Sequence, residues 1–297
     1  MQLFVYGKVP QNPQDRDLIK LLFEDISHSY DEVFVWQPFY EAIKDSLVNT
    51  TYIKTFKQKQ ELQSSQGILL SLGGDGTMLD TLDYVLGTDI AVMGINLGHL
   101  GFLTTAGRED ISNLIKEIQN NNFTIEKRQI LTSEFSFECT GRKFAANEAC
   151  FLSTNRGAII DLEVFINDKY VTTFSGDGLL IATPTGSTAY SMSAGGPIIT
   201  PESRCFCLTP VAPHNLTLRP VIINDQDVIK VRIPNTESNC KMLMDGYAVF
   251  ERNNGEIILR KAPYSWNLVR LQNQDFYFSI RNKLMWGQSP RSFNHNL

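Results

Sequence analysis

GILLSLGGDGTML, residues 67–79, decides how this chain is read: an apolar run ends at Leu72, three glycines and a carboxylate occupy 73–77, and Met78, Leu79, Leu82, Val85 and Leu86 then recur at helical spacing. Strand, glycine turn and helix follow one another without a gap. Glycine permits positive φ and carries no Cβ, so backbone N–H groups of Gly73, Gly74, Gly76 and Thr77 can come close to phosphate oxygens. The start of a helix adds partial positive charge. Asp75 is the residue a passive phosphate cradle would not select, because a carboxylate beside phosphate costs electrostatic energy. It can accept the proton of an attacking hydroxyl or help to hold Mg²⁺, and a simple helix cap is a third alternative. The stretch is no Walker A loop, since no GKS or GKT follows, and its glycine spacing is not GxGxxG.

The same alternation continues outward from this turn. Leu3–Tyr6 reads as a strand, and Leu18, Leu21, Leu22 and Ile26 mark one face of a helix. Ile90–Ile95 is another strand, followed by the loop NLGHLGFLT (96–104) and a helix carrying Ile111, Leu114, Ile115 and Ile118. This half predicts an open α/β sheet. After about residue 125 the period becomes two: Ser133–Cys139 alternates, and Leu162, Val164 and Ile166 lead through an Asn167–Asp168 turn into Tyr170–Phe174. Further strands are predicted at Leu179–Ala182, Leu216–Ile223, Val228–Ile233 and Ile257–Arg260. Short strands without intervening helices predict a β-sandwich. The fold class is therefore α/β plus β, with an N-terminal α/β open-sheet domain over 1–125, a C-terminal β-sandwich domain over 126–274, and the cleft between them as the default ligand site. Phe276–Trp286 fits neither period cleanly.

At 297 residues the chain suits two domains, and its net charge of −5 lacks the broad basic face that nucleic-acid binding needs. Its five cysteines form no CxxC pair, and its four histidines give no zinc spacing. A reducing cytoplasm fits this usage. The start MQLFVYGKVPQNPQDRD lacks a basic flank and a long apolar stretch, and nowhere do enough apolar residues run together to span a bilayer. The expectation is a soluble protein without membrane or nucleic-acid partners.

A second unusual stretch, GDGLLIATPTGSTAYSMSAGGPI (176–198), is almost all small residues from Thr185 to Gly196 apart from Tyr190 and Met192. Such a run builds little core but offers exposed backbone and hydroxyl donors, with Tyr190 either stacking on a base or sugar or simply packing. Asn147 with Glu148, and Asp177 between two glycines, could accept from a ribose diol or be ordinary loop polars. His214 and Arg219 read most simply as structural loop residues, and Asp245–Gly246 as a hairpin turn. No GxSxG elbow is present, which weakens a hydrolase reading.

Taken in order, GGDGT, NLGHLGFLT, Asn147–Glu148, SGDGLLIATPTGSTAYSMSAGGPI, PHNLTLRP and the closing KLMWG resemble the NAD kinase family over roughly residues 68–287. GGDGT alone would also suit diacylglycerol, sphingosine and 6-phosphofructo kinases; the TPTGSTAYSMSAGGP block is the specific part. The resemblance implies that ATP phosphorylates the 2′-hydroxyl of the adenosine ribose of NAD, giving NADP, with a divalent metal such as Mg²⁺. It implies Asp75 as proton acceptor, Gly76 touching the dinucleotide, Asn147 and Glu148 contacting NAD, and Phe102 near the adenine. Asp177, Thr188, Ala189, Tyr190 and Ser193 match a second substrate wall, and Ala212 a further contact. Tyr247 stands where many relatives carry glutamine, and Ala158 where some carry a basic side chain. The family returns its last segment, here 275–297, to the first domain and assembles as homodimers or homotetramers. Rival expectations are another GGDGT-type kinase acting on a lipid or sugar, and a non-catalytic nucleotide-binding sensor.

Overall fold

The computed structural model describes residues 1–10, 12–62, 65–98, 101–154, 159–234, 239–271 and 275–287; Ala158 and the loop residues His99 and Leu100 lie outside the described residues. The chain forms two compact units, Met1–Lys127 with Trp266–Leu297, and Arg128–Ser265.

The first unit contains β1 (Gln2–Gly7), α1 (Pro13–Ser29), β2 (Val33–Trp36), α2 (Gln37–Ile43), β3 (Ile53–Phe56), β4 (Gln66–Leu72), α3 (Asp75–Asp80), α4 (Leu82–Val85), β5 (Asp89–Ile95) and α5 (Ile111–Gln119). β3, β2, β1, β4 and β5 lie side by side, all parallel. Helices cover both faces of such a sheet, so its inner strands read as continuous apolar runs, as LFVY and ILLSL do here. On one face Leu3, Val5, Ile68, Leu70 and Met93 pack with Leu22, Phe23 and Ile26 of α1 and Leu114 and Ile118 of α5. On the other, Tyr84 of α4 packs on Tyr6 and Phe56, with ring centroids 5.5 and 5.8 Å away. Removing one such side chain to alanine costs roughly 2–5 kcal/mol.

Two details correct the periodicity. Leu21 is 54% exposed, and Ile19 and Phe23 take the inward positions of α1. α1 begins where Asn12 accepts the Asp15 N–H at 2.8 Å and proline occupies its first turn, which sets the helix register and turns Leu21 outward. The helix expected after GGDGT is interrupted at Thr81, whose hydroxyl donates to the Met78 carbonyl at 2.6 Å.

The chain then runs through β6 (Phe123–Phe135), β7 (Phe144–Ala145), β8 (Glu148–Ser153), β9 (Ile160–Ile166), β10 (Lys169–Ala182), α6 (Tyr190–Ser193), β11 (Cys205–Pro213), β12 (Val221–Asn224), β13 (Ile229–Ile233), β14 (Cys240–Met244), β15 (Tyr247–Arg252) and β16 (Gly255–Leu271). The strands of the second unit pair antiparallel around a core that includes Phe151, Phe174, Ile181, Phe206 and Met242. Both hairpin turns read from sequence are present: Asn167 and Asp168 have φ of 50° and 62°, and Asp245 and Gly246 have 49° and 82°. These left-handed pairs match the twist of the flanking strands. β12 begins only at Val221, so the strand expected from Leu216 is shorter; Asn215 instead accepts the N–H and hydroxyl of Thr217 in a local turn. The segment of ambiguous period is α7 (Phe276–Leu284), part of the first unit, capped where Asp275 accepts the Phe278 N–H at 2.6 Å.

Candidate functional site

Asp75 opens α3 at the end of β4, and its carboxylate is turned onto the loop after β5. Oδ2 accepts the Phe102 N–H at 2.7 Å, while Oδ1 accepts those of Leu103 at 3.1 Å and Thr104 at 3.4 Å. A Cβ on Gly101 would overlap this carboxylate, so residue 101 has to be glycine for the two to meet. The carbonyl side of the same loop is held by Arg270 of β16, whose guanidinium donates to Phe102 O and Leu103 O at 3.4 Å each and to Glu126 at 2.8 Å. One carboxylate and one guanidinium therefore fix the 102–104 backbone from opposite sides.

Within the glycine turn the residues divide. Gly73 donates its N–H to Ile95 O at 2.9 Å, and Thr77, 3% exposed, packs where a Cβ on Gly73 would stand. These two shape the turn. Gly74 and Gly76 are exposed, with nothing within 4 Å of a Cβ built on either, so a ligand can approach their backbone closely. Lys283 of α7 completes this region: its Nζ lies 4.4 Å from the centre of the Phe102 ring. Burial pushes its ammonium down to about 8 against the opposing pull of Asp75.

In the second unit a second carboxylate plays a parallel part. Asp245 accepts the N–H groups of Ala146 and Asn147 at 2.7 Å each and of Glu148 at 3.1 Å. Burial pushes it up to about 6 even though these amides pull it down. Glu148 is 8% exposed, and its Oε2 has no hydrogen-bond partner among the described residues. Burial first and the neighbouring Asp245 charge second push Glu148 up to about 8. Asn147 is placed by its carbonyl, which accepts the Thr183 N–H at 2.8 Å and leaves no room for a Cβ at Gly186.

The small-residue stretch differs from the exposed donor loop that composition suggests. Thr183, Thr185, Gly186, Ser187 and Ser191 are buried, and the hydroxyls among them are used internally: Ser187 donates to Pro184 O and accepts from the Ile199 N–H, and Ser191 pairs with Thr209 at 2.8 Å. Small residues are needed there because backbone segments approach closely. What stays open is narrower: Thr188 and Ala189 are half-buried, and Tyr190 and Ser193 are exposed.

Comparison with known proteins decides the lineage. A family model described as the ATP-NAD kinase N-terminal domain matches residues 22–123, and one described as the ATP-NAD kinase C-terminal domain matches residues 146–271. NAD kinases of Christiangramia forsetii and Bacteroides fragilis are 35% and 34% identical, each across 98% of this chain and 100% of theirs. This chain belongs to the NAD kinase family. It is a kinase that transfers phosphate to NAD. Among solved structures, yeast NADH kinase complexed with NADH superposes with a TM-score of 0.86 at 25% identity, covering 97% of this chain and 89% of that one. An NAD kinase from Archaeoglobus fulgidus in complex with ATP shares the fold, with a TM-score of 0.71 at 24% identity over 96% of this chain and 99% of that one.

Against the family's expected contacts, the structure groups residues distant in sequence. Phe102 meets Asp75, and Tyr190 lies within the electrostatic reach of Asp177 and Glu148. Asp177 is exposed on β10, between glycines that approach Phe151 O and Ala212 O. Ala212 is exposed at φ 44°, a left-handed backbone that alanine adopts only when its surroundings impose it. Tyr247 is 42% exposed with the Arg142 guanidinium 4.0 Å above its ring, an aromatic–cation pair. His214 is exposed and donates its backbone N–H to Ser175 O at 2.9 Å, and Arg219 donates to two nearby carbonyls, both structural roles. Gly101, Arg270, Lys283 and the bracing role of Asp245 escape sequence reasoning. Only the second glycine of GHLG and the Asp-Gly turn hinted at two of them.

Proposed function

We propose that this enzyme transfers the terminal phosphoryl group of ATP to the 2′-hydroxyl of the adenosine ribose of NAD, with Asp75 accepting the hydroxyl proton. The observation that carries the reading is the Asp75 carboxylate, fixed by three amides beside the open backbone of Gly74 and Gly76. Each carboxylate oxygen has two lone pairs, and Oδ2 accepts only one of these amides, so it can take a further proton donor. Phosphoryl transfer asks chiefly for alignment and charge neutralisation, which a rigid carboxylate and a close backbone supply.

NAD binding falls, in this reading, to Asn147, Glu148, Asp177, Thr188, Ala189, Tyr190 and Ser193, with Phe102, Ala212 and Tyr247 as further contacts. The unpaired Oε2 of Glu148 supports it, since a buried oxygen without a partner is stabilised by a ribose hydroxyl. Gly73 and Thr77 act by shaping the turn. The relatives solved with NADH and with ATP support the two substrates.

A divalent cation such as Mg²⁺ belongs to this reading as the companion of the ATP phosphates. Among the described residues no group of three or more His, Cys, Asp or Glu side chains converges on one point, so phosphate oxygens rather than a protein-made cage would supply most of its ligands. We further infer self-association as a homodimer or homotetramer, supported by the exposed apolar side chains Leu216, Val221 and Ile222, and a reducing cytoplasmic setting, supported by five free cysteines. No described helix is long and apolar enough to cross a membrane.

The test is an assay of purified protein with ATP and NAD, with the product's phosphate located by phosphorus–proton NMR. NADP carrying a 2′-phosphate is the expected product. ATP consumption without NADP, or phosphate on another hydroxyl, contradicts the assignment.

A further inference from the structure

Lys283 brings a buried ammonium to the neighbourhood of Asp75 and Phe102. It sits in the last turn of α7, in the segment whose sequence period was ambiguous, and its Nζ is buried without a hydrogen-bond partner among the described residues. The face of the Phe102 ring lies 4.4 Å away. A cation–π contact is worth roughly 0.5–2 kcal/mol and satisfies none of the three ammonium donors. A lysine kept only to pack α7 would do better as methionine, because a buried unpaired polar group destabilises.

The charges facing Nζ come from two elements. Asp75 of α3 favours the ammonium, whereas Arg270 of β16, itself paired with Glu126, opposes it. Asp75 is already the acceptor for three amides, so it does not serve as the full partner of the lysine. The missing partner is an anion with several oxygens, close to Asp75 and Phe102.

We propose that Lys283 binds the phosphoryl donor, its ammonium donating to a non-bridging phosphate oxygen of ATP next to Asp75. This rests on the reading of ATP as donor and adds to it a residue from the chain's closing segment. A lysine is suited to the task as a compact point charge with three rotatable donors. Because burial holds Lys283 near pH 8, its hold on ATP weakens as pH rises through that value.

The experiment compares wild type, Lys283→Met and Lys283→Arg as full chains, measuring kcat and KM for ATP at saturating NAD from pH 6.5 to 9.5, together with KM for NAD. Lys283→Met keeps the apolar stem. It is expected to lower kcat/KM for ATP by about 10- to 100-fold, the range of a hydrogen bond to a charged group, with KM for NAD within about twofold of wild type. Wild type is expected to lose kcat/KM for ATP above about pH 8, and Lys283→Arg to remove that alkaline fall, since guanidinium does not titrate there. Wild type forming NADP while Lys283→Met keeps kcat/KM for ATP within twofold overturns the proposal and leaves the NAD kinase reading intact. If Lys283→Met does not fold, the arginine variant decides: an alkaline fall unchanged from wild type overturns the role. Wild type that uses NAD but not ATP overturns the donor reading on which the proposal stands.

Discussion

Gly101 has no Cβ, and the Asp75 carboxylate occupies the volume that one would fill. The two residues are far apart in the chain, yet the position of the first determines whether the second can reach the amides of Phe102, Leu103 and Thr104. Gly101→Ala is therefore expected to expel Asp75 from its pocket and lower kcat by about 10²-fold or more, the scale of a misplaced general base. The variant should stay folded, because its site lies in a loop. Steady-state NADP formation with a melting curve checks this, and a Gly101→Ala enzyme with wild-type kcat refutes the coupling.

Arg270 holds the other side of that loop. Arg270→Met removes two hydrogen bonds to carbonyls and takes a partner from Glu126, so unfolding free energy is expected to fall by about 1–3 kcal/mol and kcat to fall with it. Denaturant titration measures the first effect. An unchanged midpoint contradicts the clamp.

Asp245 orders the Asn147–Glu148 pair through three amides. Asp245→Ala should weaken NAD binding by about 10- to 100-fold while leaving ATP binding within a few-fold, because the loss falls on the backbone that presents Asn147 and Glu148. Titration calorimetry with NAD and with ATP separates the two. Equal losses for both ligands would point to general unfolding instead.

Glu148 gives a pH signature. The fold raises its carboxyl from the ordinary range to about 8, so the native state binds more protons than the unfolded chain between those values. Stability contributed by the protonated form is present below the unfolded pKa and lost as pH climbs toward 8. Glu148→Gln does not titrate. The melting temperature of Glu148→Gln minus that of wild type is expected to grow by several degrees from pH 5 to pH 8 and then level off. A gap that does not change with pH contradicts the buried, ionisable state of this carboxyl.

The strand–turn–helix around Asp75 and the apolar strands of the parallel sheet were legible because burial on both faces leaves a continuous hydrophobic run. The two hairpins were legible because Asn-Asp and Asp-Gly supply the left-handed backbone that such turns require. α7 was not, since a nine-residue helix with one buried apolar residue carries little periodic signal.

The candidate site was legible where chemistry is local and hidden where it is assembled. Asp75 within glycines announces itself. The pairing of Asp75 with Gly101, of Asp245 with Asn147 and of Lys283 with Phe102 depends on loops brought together by tertiary structure. Composition also misled: the hydroxyls between Thr183 and Ser191 look like free donors, but they are small because backbones cross there, and Ser187 and Ser191 bond within the protein.

The most direct measurement is the turnover of Asp75→Asn, which keeps the shape and one acceptor oxygen of the side chain but not its basicity. Its kcat is expected to be lower by about 10²- to 10⁴-fold, with NAD and ATP bound within a few-fold of wild type. A folded Asp75→Asn enzyme that forms NADP within about threefold of the wild-type rate would contradict Asp75 as the proton acceptor.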